Sequence, residues 1–260
     1  MLVDGELDNQ RVQPENSDDQ HVPTDTGRCR SHRQRLGKRG APVSNAEPID
    51  VRDMAIIHRT FRNAYEEAAR LVRAAPAPSS ARVTFLADHI DFGLAMLHVH
   101  HQGEDELLYP KLIERAPEQA AVTEQTKHQH EEIGRALDVA SAACKTWRQH
   151  PSAETGEALA SALDQLNSIV QPHLDDEEQK VVPLAAVTLT QKEWDEVGEH
   201  AVAQIPRNKK AVAFGLILDP LGPADRAHMM RVLPAPVRML YPVLIGRPWK
   251  KYAATLRTGT

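Results

Sequence analysis

From Asp53 onward apolar residues return at helical spacing, with Ile57, Phe61, Tyr65, Ala68 and Val72 on one inward stripe until Pro76 and Pro78 stop it. The pattern then restarts three times. Residues from about 80 to 109 place Phe85, Met96 and Leu108 near one face, and residues from about 118 to 147 place Ile133 and Leu137 there. Residues from about 152 to 186 do the same with Leu163, Leu166 and Ile169 or Val170. Four long amphipathic helices predict an all-α fold. Pro172 lies inside the fourth and, lacking an N–H, is expected to break or bulge it locally.

After Thr190 the segments shorten. Residues 224–233 and 236–244, followed by Gly246-Arg247-Pro248-Trp249-Lys250-Lys251-Tyr252, predict short helices that cap or flank the long ones. Residues 1–45 have almost no apolar periodicity, so they cannot bury enough surface to offset chain entropy and read as a disordered polar tail. The expected organisation is therefore a tail over 1–45, a helical bundle over 46–190 and a helical C-terminal extension over 191–260.

Composition adds little to the fold but narrows the setting. A 41% hydrophobic and 4% aromatic content fits a helical core rich in Ala, Leu and Val. Cys29 and Cys144 form no Cys-x-x-Cys pair, which argues against a disulfide framework or a thiolate metal site. No charged start is followed by an apolar run, and the longest uncharged apolar stretch, residues 211–218, is too short to span a bilayer. A soluble cytoplasmic protein is expected. Charge is unevenly placed: residues 205–260 hold ten Lys or Arg against only Asp219 and Asp225 in a chain of net charge −5. That extension should be drawn to the acidic bundle, with contact to an anionic membrane surface as the lesser expectation. Six Lys or Arg between residues 28 and 39 read as a solvated tail, and no nucleic acid is expected as a partner.

The candidate chemistry sits inside the apolar stripes. His100 and Glu104 stand one turn apart on one helix face, with about 5–6 Å between β-carbons. His173 and Glu177 repeat the spacing on the fourth helix, each pair running on toward a proline, Pro110 or Pro183. His58 lies beside the first stripe and His130 on the third helix. Imidazole and carboxylate together suit iron, manganese or zinc, and no soft thiolate is offered. His89, three turns from His100, suits a core or supporting role at the bundle end, and His98 and His128 fall on the wrong faces. No histidine has a Glu three residues before it, which excludes the ferritin-like di-iron pattern, and there is no His-Glu-x-x-His for a zinc hydrolase.

A histidine on the first helix, His-x-x-x-Glu on the second and fourth and a histidine on the third resemble the hemerythrin-like (HHE cation-binding) proteins of bacterial type over roughly residues 50–190. The resemblance implies an up-down four-helix bundle holding two non-heme irons bridged by Glu104 and Glu177, with His58, His100, His130 and His173 as terminal ligands. It also implies five terminal histidines and one open position. The reversible oxygen carriers draw a further histidine from the third helix, four residues before His130, where this chain has Thr126. His101 supplies the replacement expected from the pattern of some family members, with His128 left as an alternative. Glu178 is the alternative to Glu177, while Glu106, Asp175 and Asp176 read as a solvated face. The implied ligands are dioxygen, hydrogen peroxide or nitric oxide. The implied roles are oxygen or redox sensing and peroxide handling, then nitric oxide or peroxide detoxification, oxygen storage or iron binding, and last a metal-free interaction bundle.

Overall fold

The computed structural model describes residues 47–75 and 78–258, so the expectations for residues 1–45, Cys29 included, lie outside the described residues. Helix α1 (Arg52–Arg73) runs to the first turn, and α2 (Ser80–Gly103) starts from Ser79, whose Oγ accepts the Arg82 N–H at 3.2 Å. A five-residue π turn, Glu104–Leu108, then leads into α3 (Tyr109–Arg115). Helix α4 (Ala120–Gln149) returns, and α5 (Ala153–Asp176) begins at a capping box between Ser152 and Thr155. A second π turn, Glu177–Val181, precedes α6 (Val182–Thr188).

Helices α1, α2, α4 and α5 form the up-down four-helix bundle: α1 packs on α2 and α5, and α4 packs on the same two. Its core is a chain of fully buried side chains, among them Leu86, Leu97, Ile133, Trp147, Leu159 and Leu166. A second apolar cluster, with Met54, Leu108, Leu112, Val181 and Trp194, closes the other end.

Pro172 does not break its helix. The carbonyl it leaves without a partner belongs to exposed Ser168, where water can satisfy it, and α5 continues through. The bulges occur instead at the two π turns. Each ends just before an X-Pro step, with Tyr109 N–H reaching Glu104 O and Val182 N–H reaching Glu177 O, five residues back.

The extension is more helical than its sequence pattern suggests. Helices α7 (Gln191–Gln204) and α8 (Lys210–Leu218) precede α9 (Pro223–Val232) and α10 (Ala235–Met239), and a third π turn, Pro242–Gly246, leads into α11 (Arg247–Thr258). Salt bridges to the bundle, such as Arg59–Asp225 at 2.9 Å, are exposed and contribute little. Apolar contact does more. Ile56 packs with Phe214, Leu218 and Ile245, and Phe92 packs with Val212 and Trp249. This second buried face explains why Ile57, expected on the inward stripe, is only half-buried while its neighbours Ile56 and His58 are covered. No described helix is long and apolar enough to cross a membrane.

His89 is one of the joints. It is buried, and its Nδ1 shares a 3.0 Å hydrogen bond with the Tyr252 hydroxyl of α11. Burial, reinforced by the charges of Lys209 and Arg82, holds its pKa down at about 4. The folded state therefore favours neutral His89, and this contribution is present above the ordinary value of 6.5 and lost as pH falls from 6.5 toward about 4. The full span is worth roughly 3 kcal/mol. In urea titrations of the full-length protein, His89→Gln is expected to lose less stability than wild type across that window. Parallel curves would contradict the assignment.

Candidate metal centre

Between the two apolar clusters every bundle helix contributes a polar layer. Helix α1 gives His58, between Met54 and Phe61. Helix α2 and its π turn give His100, His101 and Glu104, between Leu97 and Leu108. Helix α4 gives His130, and α5 with its π turn gives His173 and Glu177. All seven residues singled out from the sequence are buried and meet there, with Glu104, Glu177 and His58 fully sealed.

They fall into two groups whose ligand atoms lie within 4.8 Å of one another: His101, His130 and His173 in one, His58, His100, Glu104 and Glu177 in the other. The carboxylates lie between them. Glu104 Oε1 is 3.1 Å from His100 Nε2 and its Oε2 is 3.7 Å from His130 Nε2. Glu177 Oε2 is 3.4 Å from His58 Nε2 and 3.8 Å from His173 Nε2, while Tyr109 Oη donates to its Oε1 at 2.8 Å.

The fit to metal is tested by hydrogen bonding. The Nε2 atoms of all five histidines, both oxygens of Glu104 and Oε2 of Glu177 are buried without a hydrogen-bond partner among the described residues. Buried polar atoms are nearly always paired, so eight orphans aimed into one chamber mark a site shaped for cations. The charges agree. Burial, then the Glu177 charge, pushes the Glu104 carboxyl well above its ordinary range; burial pushes Glu177 the same way, but neighbouring His58 outweighs it and brings Glu177 below. Burial also holds His100 and His101 well below 6.5 and His173 down at about 4, leaving them neutral as metal ligands must be, whereas at His58 burial is outweighed by Glu177 and Glu178, which raise the value.

The far nitrogens of three of the five histidines are held as ligating imidazoles require. His58 Nδ1 meets Glu178 Oε1 at 2.9 Å, and Arg62 donates to that same oxygen at 2.7 Å. His130 Nδ1 meets Asp105 Oδ1 at 3.1 Å. His173 Nδ1 meets Gln129 Oε1 at 3.0 Å, and Gln129 donates onward to Asp176.

Two alternatives are thereby resolved in position. His128 is exposed beside Glu131, whereas His101 stacks on His130 with ring centroids 4.1 Å apart. Glu178 lies outside the chamber as the partner of His58. Thr126 is buried where the oxygen carriers have a histidine, its hydroxyl donating to Val122 O. Asp176, read as solvated, is tied to Gln129 and Lys180, and Asp175 pairs with Arg62; Glu106 is exposed as expected. Tyr109, Asp105, Gln129 and Arg62 were not singled out from the sequence. Only Asp105 and Gln129, each flanking a predicted ligand, left even a weak local signal.

Five imidazoles and two carboxylates inside an up-down four-helix bundle define a helical protein with a buried metal-binding pocket. The model of the hemerythrin HHE cation binding domain matches residues 50–185, and the chain belongs to that family. No curated protein and no solved structure matches it significantly.

If the outer contacts orient the imidazoles, Glu178→Gln and Asp105→Asn should each weaken metal retention about 10–100-fold in chelator competition, with unchanged helix content. Retention equal to wild type in both would show that these carboxylates do not support the site.

Proposed function

We propose that the protein holds two carboxylate-bridged non-heme irons and binds dioxygen or an oxidant there, acting in oxygen or redox sensing or in peroxide handling. The eight unpartnered ligand atoms carry this reading: they divide into a three-histidine and a two-histidine group with Glu104 spanning the gap. His101, His130 and His173 would hold one ion, His58 and His100 the other, and Glu104 and Glu177 both. Iron bound there would supply a redox couple and a means of binding dioxygen, hydrogen peroxide or nitric oxide.

The chain's own groups do the rest. Tyr109 keeps its proton on Oη, donated to Glu177 Oε1, because burial and the nearby carboxylates raise its pKa well above the ordinary tyrosine value. That leaves Glu177 Oε2 as the oxygen without a hydrogen-bond partner, the one that would be free to hold a metal. Leu97, Leu108 and Leu174, all buried, exclude water from above and below the layer. His58, with Arg62 behind it, holds the Glu178 carboxyl below its ordinary range.

Protein expressed in iron-replete medium is expected to carry about two iron atoms per chain. Glu104→Ala and Glu177→Ala should each empty both positions, whereas Glu106→Ala should leave them filled. Stoichiometric zinc without iron, or equal metal in all three variants, would refute this reading.

His101 separates sensing and peroxide chemistry from storage. With Thr126 in place of the carriers' histidine, two adjacent residues of α2 feed the centre, so the protein is expected to oxidise in air and to respond to peroxide. His101→Ala should keep both irons but shift the charge-transfer bands, and His98→Ala should change neither. A long-lived oxygenated wild type, or an unshifted His101→Ala spectrum, would overturn the assignment.

A further inference from the structure

Beside the two-histidine group lies a cavity of about 150 Å³ that His100 helps to line. The bundle supplies one wall, with Phe61 of α1 and Phe92 and Gly93 of α2; the extension supplies the other, with Trp194 and Ala201 of α7 and Ile217 of α8. The family match ends at residue 185, so this second wall is an addition of this chain to the bundle.

The chemistry of the lining selects the occupant. Its polar side chains are few: the Thr60 hydroxyl donates to Ile56 O at 3.1 Å, Asp53 Oδ1 accepts from Trp194 Nε1 at 2.9 Å, and His100 is the third. Only the second Asp53 oxygen and the His100 ring remain to offset the desolvation of a polar or charged ligand, at one end of an otherwise apolar lining. Everything else is aliphatic or aromatic, and an apolar cavity of this volume takes up benzene or xenon. The space is kept by small residues, since a Cβ placed on Gly93 would meet no atom within 4 Å.

We propose that this cavity binds a small uncharged apolar molecule, about the size of benzene, against the His100 face of the centre. The cavity is formed by protein atoms alone, so binding itself does not depend on iron; its influence on the centre, through His100, rests on the di-iron reading.

The test uses the full chain, metal-free and iron-loaded. Benzene and xenon are added separately to metal-free protein while the methyl signals of Met96 and Ile217, both lining the cavity, are followed by NMR. Saturable shifts are expected with both ligands, and neither benzoate nor benzylamine should compete. Gly93→Leu fills the space from α2 and Ala201→Leu fills it from α7; each should weaken benzene binding at least about tenfold while binding iron as wild type does. Shifts that do not saturate, survival of binding in both variants, equal competition by the charged analogues, or xenon binding without benzene would each overturn the proposal. Saturable benzene binding in a protein that takes up no iron would sink the di-iron reading and leave the cavity standing.

Discussion

The rest of the structure has to accommodate eight buried polar atoms that the protein itself does not pair. Each unsatisfied buried group costs about 1–3 kcal/mol, so together they are comparable with the whole stability of an ordinary domain, about 5–15 kcal/mol. The layer is tolerable only because both sides of it are densely apolar and because a cation returns the lost interactions as folding free energy. Leu97, Ile133 and Val170 lie on one side, Leu108, Tyr109 and Val181 on the other, all buried. The outer carboxylates restrain the imidazoles from rotating away to seek other partners.

The aim of the two glutamates follows from backbone geometry. Each opens a π turn, and each is followed six residues later by a proline, Pro110 or Pro183. A proline ring collides with the carbonyl four residues before it, and an extra residue in the turn relieves that crowding while the helix axis continues. Pro172 shows that proline alone does not produce the bulge: on an exposed face with an exposed carbonyl partner, the α-helix simply persists. The repeated His-x-x-x-Glu thus belongs to a longer repeat that includes the turn and its proline.

The residues that meet in the chamber were legible because each is tied to a local period: four residues between His100 and Glu104, four between His173 and Glu177, and histidines beside apolar stripes. The supporting contacts were not. Glu178 reaches His58 across 120 residues and Asp105 reaches His130 across 25, so their partners exist only after helices pair. How the extension packs was less legible for another reason. Its charge excess suggested electrostatic attachment, but its helices are held by apolar contacts whose pattern is too short, segment by segment, to show a clear period. Ile57 packs against both the bundle core and the extension cluster, because α1 buries two faces and one stripe describes only one of them.

The two halves of the chamber therefore stand in different surroundings. The three-histidine group borders an open cleft lined by His98, Gln102, Asp105, Lys127 and His128, side chains that bring water and charge close to His101 and His130. The two-histidine group borders the apolar cavity, where Phe61 packs 5.2 Å from the His100 ring and the extension closes the far wall. Electrostatic interactions strengthen where water is excluded, so a charge developing on the His58 and His100 side is felt more strongly by Glu104 and Glu177 than one on the cleft side. Ligand count and medium thus point the same way: the side with fewer imidazoles is the drier one. The helices beyond residue 185 make it so, which gives the extension a part in the properties of the centre although it contributes none of the seven residues.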